Sequence, residues 1–523
     1  MDTFSFRPAA LLLGLFFSAT ALAQTPASRT ISIDVAKVRG PLNKSFNLCV
    51  GAGRANEGLR ADWQRQLAAV KQDCGFQYIR FHGLLHDDMG VYQEDSNGQA
   101  VYNWQYIDNL YDYLLSIGVK PFVELSFMPA ALKSSDKTVF WWKANVSPPK
   151  SYEKWEALIR NLTQHLEERY GRKEVETWYF EVWNEPNYPA FFSGTQADYF
   201  KLYASTARAV KSVSSTYRVG GPASSGTSWI NETLTYCAQN KVPLDFISTH
   251  DYGVTEGGLD EFGRGQQKLG DPNSIARNTQ AVRDKIKASA FPGLELHMTE
   301  WSSSYSSRDP VHDSYQNAAY VLNTLKQTEK SATSMSYWTF TDVFEEAGVA
   351  PTPFHGGFGL LNLQGIRKPT YFAYKYLQQL GPQELQNSDA ASWVTTNEKG
   401  EVQVLFWDFV RPPMGQETNQ AFFVKEHPAE SHGAVTVSLA HLPKGKYRLE
   451  AYKVGYNQND AYSAYLRWGR PRQLTRQQQS QLEGQTQDVP VQEKTVAVRA
   501  DGALSETLDV RTNDVVLLKL RRE

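Results

Sequence analysis

The sequence is poor in cysteine and almost neutral in net charge. It has 523 residues, three of them cysteines, and its formal net charge is −2. So small a charge argues against the basic surface that binding to nucleic acid or to an anionic membrane requires. Beyond the first residues, no apolar run reaches the length that spans a bilayer. We therefore predict neither a nucleic-acid nor a membrane partner.

The same three cysteines, Cys49, Cys74 and Cys237, argue against a disulfide scaffold and a metal centre. An odd number leaves at least one thiol free or paired with another chain. A bridge between Cys49 and Cys74 is left open, but buried, unpaired cysteines are favoured. No Cys/His spacing typical of a zinc site occurs. We predict no metal and no cofactor.

The first 23 residues resemble a signal peptide. Arg7 gives a positive start, residues 9–17 are apolar, and Ala21-Leu22-Ala23 is a small-x-small cleavage signature before Gln24. The apolar run is too short to cross a bilayer. We predict a secreted or periplasmic protein that begins at Gln24, with an uncleaved membrane anchor as the alternative.

Short apolar strands alternate with amphipathic helices from residue 46 onward. Eight alternations in a row predict a (β/α)8 barrel over residues 46–383. The alternative, a doubly wound open sheet, would place a Gly-rich phosphate turn after its first strand, and the turn at 51–54 lacks the third glycine. The predicted strands are 46–50, 78–82, 120–127, 178–183, 217–221, 246–250, 294–300 and 334–341. The predicted helices are 59–74, 107–117, 155–170, 199–213, 315–330 and 371–380.

Beyond residue 383, short strands separated by turns are typical of a β-sandwich. We assign residues 384–523 to this accessory domain and leave the polar stretch 457–490 without a definite structure. Residues 24–45 hold one short strand, 30–38, which is a candidate to pack with the sandwich. The predicted strands of the sandwich are 392–396, 402–407, 420–424, 434–439, 446–453, 495–498 and 515–520.

The stretch around which the chain is organised is a buried aromatic strand, 178–182, that runs into Trp183-Asn184-Glu185-Pro186. A carboxylate at the exit of a buried strand is partly desolvated, which raises its pKa and suits a general acid near neutral pH. Taken alone, Asn-Glu-Pro is more often a loop charge or a helix cap, so the rest of the chain must supply the context.

A second glutamate, Glu300, ends predicted strand seven. Functional groups of a barrel lie at the C-terminal ends of its strands, and strands four and seven face each other across the mouth. Two carboxylates across a cleft are what glycoside hydrolysis requires. One protonates the leaving oxygen, and the other attacks the sugar or orients water. We assign Glu185, supported by Trp183, as the acid/base and Glu300 as the nucleophile.

Polar side chains end the neighbouring strands at the same rim. A buried Arg80 needs a carboxylate partner, and we expect it to orient Glu300. His250 and Tyr252 occupy alternate positions of strand six, so both can point into the mouth. Tyr252 is, with Arg80, a candidate to keep Glu300 ionised.

Three further residues of this rim have two interpretations. His82 is either a ligand of a sugar hydroxyl or a core histidine, with neither favoured. Trp338 is expected to stack on a sugar ring rather than only to pack the barrel. Of Glu345 and Glu346, we expect one to bind substrate hydroxyls and the other to be solvated.

Five stretches of the sequence match a known family. They are YIRFHGLLHDDMGVY (78–92), FEVWNEPN (180–187), HDYG (250–253), TEW (299–301) and YWTFTDVFEE (337–346). Asn-Glu-Pro is common among glycosidases, whereas the Phe-His-Gly with Asp-Asp-Met-Gly run is far more specific. With them the chain resembles glycoside hydrolase family 39, the β-xylosidases, which are related to the α-L-iduronidases.

The resemblance implies a retaining double-displacement mechanism in which Glu185 is the acid/base and Glu300 the nucleophile. It also implies a C-terminal β domain beside the barrel. In similar proteins Asn184 would bind the 2-hydroxyl, where a hydrogen bond strengthens in the transition state. The sugar pocket implied by the resemblance contains His82, Asn184, His250, Tyr252, Trp338 and Glu346.

The predicted function is exo-acting release of β-D-xylose from the non-reducing end of xylo-oligosaccharides. An iduronidase must neutralise a uronic carboxylate, and Arg80 is the one Lys or Arg inside the motif stretches. A nearby loop, 258–269, could supply Arg264 or Lys268. The alternatives are an α-L-iduronidase-like or α-L-arabinosidase-like glycosidase, a non-catalytic sugar-binding barrel and, with little weight, a phosphate-handling enzyme. The predicted partner is an oligosaccharide, and a homo-oligomer is left open.

Overall fold

A computed structural model describes residues 29–255, 257–260 and 262–523. The predicted signal peptide lies outside the described residues. Eight parallel strands close into a barrel in chain order, and the last strand pairs with the first through Tyr337 and Val50. The predicted (β/α)8 barrel is therefore confirmed. Its strands are Cys49–Arg54, Tyr78–His82, Lys120–Leu125, Tyr179–Val182, Arg218–Ser224, Phe246–Tyr252, Glu295–Ser302 and Ser334–Tyr337.

Helices form the layer outside the barrel. Helix Tyr152–Tyr170 shows why they form, because Leu158, Leu162 and Leu166 recur at helical spacing and all three are buried. Three helices, Arg172–Val175, Ile230–Asn240 and Ser274–Lys287, are missing from the sequence prediction. In the described part of the chain, no helix is long and apolar enough to cross a membrane. The α-helices of the barrel region are Ala61–Cys74, Gln105–Ser116, Tyr152–Tyr170, Arg172–Val175, Gln196–Val213, Ile230–Asn240, Ser274–Lys287, Gln316–Thr328 and Pro369–Gln378.

The loops of the barrel contain short 3-10 turns and hairpins. The predicted start of the first strand, residue 46, is wrong, because Ser45–Asn47 is a turn of 3-10 helix and the strand begins at Cys49. Further 3-10 turns are Ala55–Leu59, Asp87–Met89, Ser225–Thr227 and Pro310–Asp313. Two small hairpins are formed by Tyr92–Glu94 with Ala100–Tyr102 and by Thr138–Val139 with Ala144–Asn145.

The inward side chains of the barrel change from apolar to charged along its axis. At the N-terminal end, Tyr78, Phe122, Tyr179 and Phe246 pack with Cys49 as an apolar floor. Alternate strand residues share a face, so the next inward positions on the second, third and fourth strands are Arg80, Glu124 and Glu181. All three are buried, and they place charge directly above the floor.

The C-terminal region contains two packed sheets, with buried Val404, Val437 and Leu518 among the side chains of their common core. The larger sheet has the strand order Val38–Pro41, Gln383–Leu385, Ser392–Thr396, Val402–Trp407, Val515–Arg522, Gly445–Val454 and Gln492–Val498. The smaller sheet has the order Arg29–Asp34, Ser431–Ala440 and Leu504–Arg511. Its first strand runs parallel to Ser431–Ala440.

Three sequence expectations for this region and for the cysteines can be compared with the structure. The predicted strand at 420–424 is wrong, since Asn419–Phe422 is a short helix. The unassigned stretch 457–490 contains helices Ala461–Arg467 and Arg476–Gly484. The three cysteines are buried and free, so the open question of a Cys49–Cys74 bridge is answered in favour of unpaired thiols.

Candidate active site

Glu185 lies in a sharp turn at the end of the fourth barrel strand. Trp183 and Glu185 have φ of 72° and 44°, the left-handed region that side-chain-bearing residues rarely adopt. The turn is fastened to the fifth strand, because the Glu185 N–H donates to the Ala223 carbonyl at 2.9 Å. Asn187 and Ser225 add two further bonds, at 2.8 and 3.0 Å. Strain of this kind persists where the surroundings fix the backbone, as they do here.

Glu300 lies in the seventh strand and is held by two donors. Arg80 Nη1 lies 2.7 Å from Glu300 Oε1, and the Tyr252 hydroxyl donates to Glu300 Oε2 at 2.7 Å. The ion pair expected between Arg80 and Glu300 is therefore present. The two donors together fix the position of both carboxylate oxygens of Glu300.

Arg80 is the centre of a buried ionic cluster. Its Nε lies 2.5 Å from Glu181 Oε2, and its Nη2 lies 2.7 Å from Glu124 Oε2. The same Nη2 donates to Asn184 Oδ1 at 2.9 Å. Sequence reasoning missed Glu124 and Glu181. A signal was available, because carboxylates in buried strands are as costly as the arginine beside them and must be paired.

The environment of Glu185 favours its protonated form. Burial and the negative charge of Glu300 raise the pKa of Glu185 to about 8. One carboxylate oxygen of each glutamate lies within 4.8 Å of the other. The two side chains that sequence analysis paired across the barrel mouth therefore face one another at close range.

A row of hydrogen bonds fixes where the proton of Glu185 points. The Thr299 hydroxyl donates to Glu181 Oε1 at 2.9 Å, so its oxygen is free to accept from His250 Nε2 at 3.1 Å. Burial and the nearby positive charges lower the pKa of His250 well below its usual value, so the ring is neutral. If Nε2 carries the single proton, Nδ1 is an acceptor. Its 2.9 Å contact with Glu185 Oε1 then requires the proton of Glu185.

His82, unlike the neutral His250, carries a positive charge. Its Nδ1 lies 2.7 Å from Glu124 Oε2, and its Nε2 lies 3.3 Å from Glu346 Oε1. Burial opposes a charge on the ring, but Glu124, Glu346 and Glu300 outweigh burial and raise the pKa of His82 to about 10. His82 is therefore an imidazolium that can donate to an oxygen in the pocket, and Glu346 is brought into the same cluster.

The indole of Trp338 forms one wall of this cluster. Its ring centroid lies 4.8 Å from that of His82 and 5.7 Å from the Arg80 guanidinium carbon. Trp183 behaves differently. Its indole packs against Phe127 and donates to the Phe191 carbonyl at 2.9 Å, so it supports the turn that carries Glu185.

One expectation for the charged residues near the mouth needs correction, and the structure adds the partners of two others. Glu345, one of the pair from which a solvated side chain was expected, is instead ion-paired with Arg54 at 3.0 Å and Arg60 at 2.8 Å. Arg264, which could have served a uronic acid, pairs with Asp260 at 2.9 Å. Lys268 lies 3.3 Å from Gln416 Oε1 in the C-terminal region.

Glu185, His250 and Glu300 each offer a donor atom within 4.8 Å of the others, a spacing compatible with a metal ion. The donor set does not fit one well. The guanidinium of Arg80 already neutralises Glu300 at 2.7 Å, and the charged ring of His82 lies beside it. A metal cation bound there would be repelled by the two positive charges of Arg80 and His82.

Comparison with known proteins decides the family. The sequence model described as "Glycosyl hydrolases family 39" matches residues 29–505. The chain belongs to glycosyl hydrolases family 39. A β-xylosidase of Geobacillus stearothermophilus is 38% identical over 492 residues, which cover 92% of this chain and 94% of that protein. A β-xylosidase of Caldicellulosiruptor saccharolyticus is 46% identical over 363 residues, covering 68% and 72%.

A solved structure extends the family assignment to the whole fold. The crystal structure of the GH39 enzyme from Xanthomonas axonopodis pv. citri is 44% identical in sequence and matches with a TM-score of 0.93, covering 98% of this chain and all of that one. This family 39 chain is thus a glycoside hydrolase that acts on an oligosaccharide. Its fold is a barrel with an accessory sandwich.

Proposed function

We propose that this family 39 enzyme is a retaining, exo-acting β-D-xylosidase that releases xylose from the non-reducing end of xylo-oligosaccharides. The observation that carries the mechanism is the approach of Glu185 and Glu300, with an oxygen of each within 4.8 Å of the other. Carboxyl groups about 5–5.5 Å apart are typical of retention, whereas inversion needs about 6.5–9.5 Å to admit a water. The spacing leaves room for a sugar carbon and none for an additional water.

In the first step, Glu300 attacks the anomeric carbon and Glu185 gives its proton to the departing oxygen. The ester bond forms as the glycosidic bond breaks. Tyr252 and Arg80, each 2.7 Å from Glu300, hold the carboxylate of the nucleophile in position until then. Asn184, which accepts a hydrogen bond from Arg80 at 2.9 Å, binds the 2-hydroxyl.

In the second step, Glu185 must act as a base. Its pKa is raised by burial and by the negative charge of Glu300, and that charge disappears when Glu300 becomes an ester. The pKa of Glu185 therefore falls in the intermediate, so the residue that has lost its proton can take one from water. Water then hydrolyses the ester and both groups return to their starting states.

Two features support a neutral sugar at a chain end. The cations that contact the carboxylate pair, Arg80 and His82, are already matched by Glu124 and Glu181, which leaves a uronic acid without an evident counter-charge. The carboxylates are only 5–7% exposed, so the substrate enters a pocket rather than an open groove. The names of the relatives, β-xylosidases, agree with xylose.

The first experiment tests both chemistry and sugar. Wild-type enzyme is incubated with aryl β-xylosides, α-L-arabinosides and α-L-iduronides, and the first-formed anomer is read by NMR. We expect β-xylose from the xyloside. Glu300→Ala should lose about a thousandfold or more in kcat, as removal of a catalytic nucleophile does, and azide should rescue it as the α-xylosyl azide. Initial α-xylose from the wild type, or unchanged turnover in Glu300→Ala, would contradict the mechanism.

We also propose export from the cytoplasm, on the strength of the signal-like residues 1–23. Mass spectrometry of the mature protein from its host should find Gln24 at the N-terminus. An intact N-terminal segment on protein retained in the cell would contradict this.

A further inference from the structure

Exposed aromatic side chains are concentrated at the mouth of the barrel. Of the large apolar side chains exposed in the described part of the chain, four are aromatic, and three of these lie in loops that follow barrel strands: Trp141, Tyr188 and Phe262. Trp141 is 57% exposed and Tyr188 is 51% exposed. Exposed apolar groups that gather beside a site are candidates for a binding surface.

Trp141 stands directly beside the sugar pocket. Its backbone N–H donates to the carbonyl of Glu346 at 2.7 Å, and the carboxylate of Glu346 contacts His82 in the pocket. Gly348 lies against the indole, where an added Cβ would be 3.5 Å from the ring. The backbone of Trp141 is thereby fixed to the loop after strand eight, while more than half of its side chain faces solvent.

Tyr188 lies in the same turn as the acid/base. Its N–H donates to the Glu185 carbonyl at 2.9 Å. A continuous row of rings joins it to the pocket, with centroid separations of 5.5 Å from Tyr188 to Phe191, 5.2 Å from Phe191 to Phe140 and 5.8 Å from Phe140 to His82. Phe140 immediately precedes Trp141, so both exposed rings border the same side of the mouth.

That side is where the leaving group must be. Glu185 protonates the departing oxygen, so the remainder of the substrate extends from the pocket past Glu185 and its turn. We propose that Trp141 and Tyr188 form a binding site for the xylose units of the leaving group, stacking on the apolar faces of one or two sugar rings. This inference rests on the proposed function. The dispersion contacts of a ring on a sugar face are individually small and collectively large.

The test compares substrates that differ only in the leaving group. Values of kcat/KM are measured on β-xylosyl fluoride, whose leaving group is one atom, and on xylobiose and xylotriose. For Trp141→Ala and Tyr188→Ala we expect the ratio of xylotriose to fluoride to fall about tenfold, which corresponds to about 1.4 kcal/mol of lost transition-state binding. Trp141→Phe and Tyr188→Phe should recover most of the ratio, because a ring is kept.

Tyr106→Ala is the matched control, since Tyr106 is an aromatic residue of similar exposure, 49%, on an outer helix. An equal fall on fluoride and xylotriose would assign Trp141 and Tyr188 a structural role and overturn the proposal. An unchanged ratio would also overturn it and would point to a protein partner as the occupant. If the wild type hydrolysed none of the xylosyl substrates, the proposed function itself would be wrong.

Discussion

Glu185 is linked to the barrel interior by a row of hydrogen bonds, which all run in one direction when His250 carries its proton on Nε2. From Glu185 they pass to His250, then to Thr299, and end on the carboxylate of Glu181. Reversing any one donor would reverse the neutral tautomer of His250. Thr299 therefore acts on the acid/base through the histidine, although it does not touch it.

Thr299→Val tests this arrangement. Without the hydroxyl, His250 Nε2–H has no acceptor there, and the tautomer with its proton on Nδ1 can donate to an ionised Glu185. The pKa of Glu185, raised in the wild type, should fall. Because the acid must be protonated at the start of the reaction, the alkaline limb of the kcat/KM profile should move to lower pH, with a fall in kcat of about tenfold.

Thr299→Ser is the control, because serine keeps the hydroxyl and should restore the wild-type profile. A valine variant that lost activity equally at every pH would indicate a packing effect instead.

At the scale of residues, the sequence alone predicted the site residues at the strand ends but not the buried side chains that contact them. Glu185, Glu300, Arg80, His82 and Tyr252 stand in recognisable motifs. Glu124 and Glu181 lie inside apolar strands, and their inward direction becomes visible only when the strand register places them beside Arg80. The charge states of the two histidines depend on that register too.

At the scale of elements, a second buried cluster holds together the segments behind the Trp338 wall. Lys368 Nζ lies 2.6 Å from Asp313 Oδ1 and 2.6 Å from Asp342 Oδ2, and it donates to the Gly357 carbonyl at 2.8 Å. All three charged side chains are fully buried. One lysine thus joins the loop after strand seven, the segment after strand eight and the start of the last barrel helix.

Lys368→Met should destabilise the barrel by about 3–5 kcal/mol, because two buried carboxylates lose their counter-ion. For a chain of this length that corresponds to a fall in Tm of about 3–5 °C, measured by scanning calorimetry. Burial raises the pKa of Asp313 even beside the lysine. The deficit should therefore shrink as pH falls, since the orphaned carboxylates then bind protons.

Lys37→Met removes a lysine whose side chain is 64% exposed and whose partner, Asp34, lies 3.6 Å away. It should leave Tm within about 1 °C. A Lys368→Met enzyme as stable as this control would contradict the role given to the buried cluster.

Most barrel strands could be located to within a few residues, because each is a short run made mostly of apolar residues. Tyr78–His82 is reproduced to the residue. Two of the failures have physical causes. Residues 421–424 are apolar without a period that separates strand from helix. Helix Ser274–Lys287 carries Thr279 within its buried stripe, which weakens its helical pattern.

At the scale of the whole molecule, the two ends of the chain share sheets. Residues Arg29–Asp34 pair with Ser431–Ala440, and Val38–Pro41 pairs with Gln383–Leu385. Arg29 adds a bidentate contact with Asp389, at 2.6 and 2.8 Å. The barrel lies between these partners in sequence, so the N-terminal strands close the C-terminal sheets.

Removing residues 29–41 should uncover strand Ser431–Ala440, since its backbone loses a parallel neighbour and the core loses the buried Ile31 and Ile33. In limited proteolysis followed by mass spectrometry, cleavage within 431–440 should become the fastest event. The comparison protein is a chain that starts at Arg29. Equal cleavage rates in the two proteins would show that the sandwich closes without the N-terminal strands.

The pairing of Arg29 with Val435 also sets an order of events during synthesis. A ribosome that adds about 5–20 residues per second finishes the second strand some 20–80 s after the first has emerged. Over that interval the first strand has no native neighbour, while the whole barrel can form behind it. The sandwich is therefore the last part of the chain that can close, because its first strand must wait for the partner at Val435.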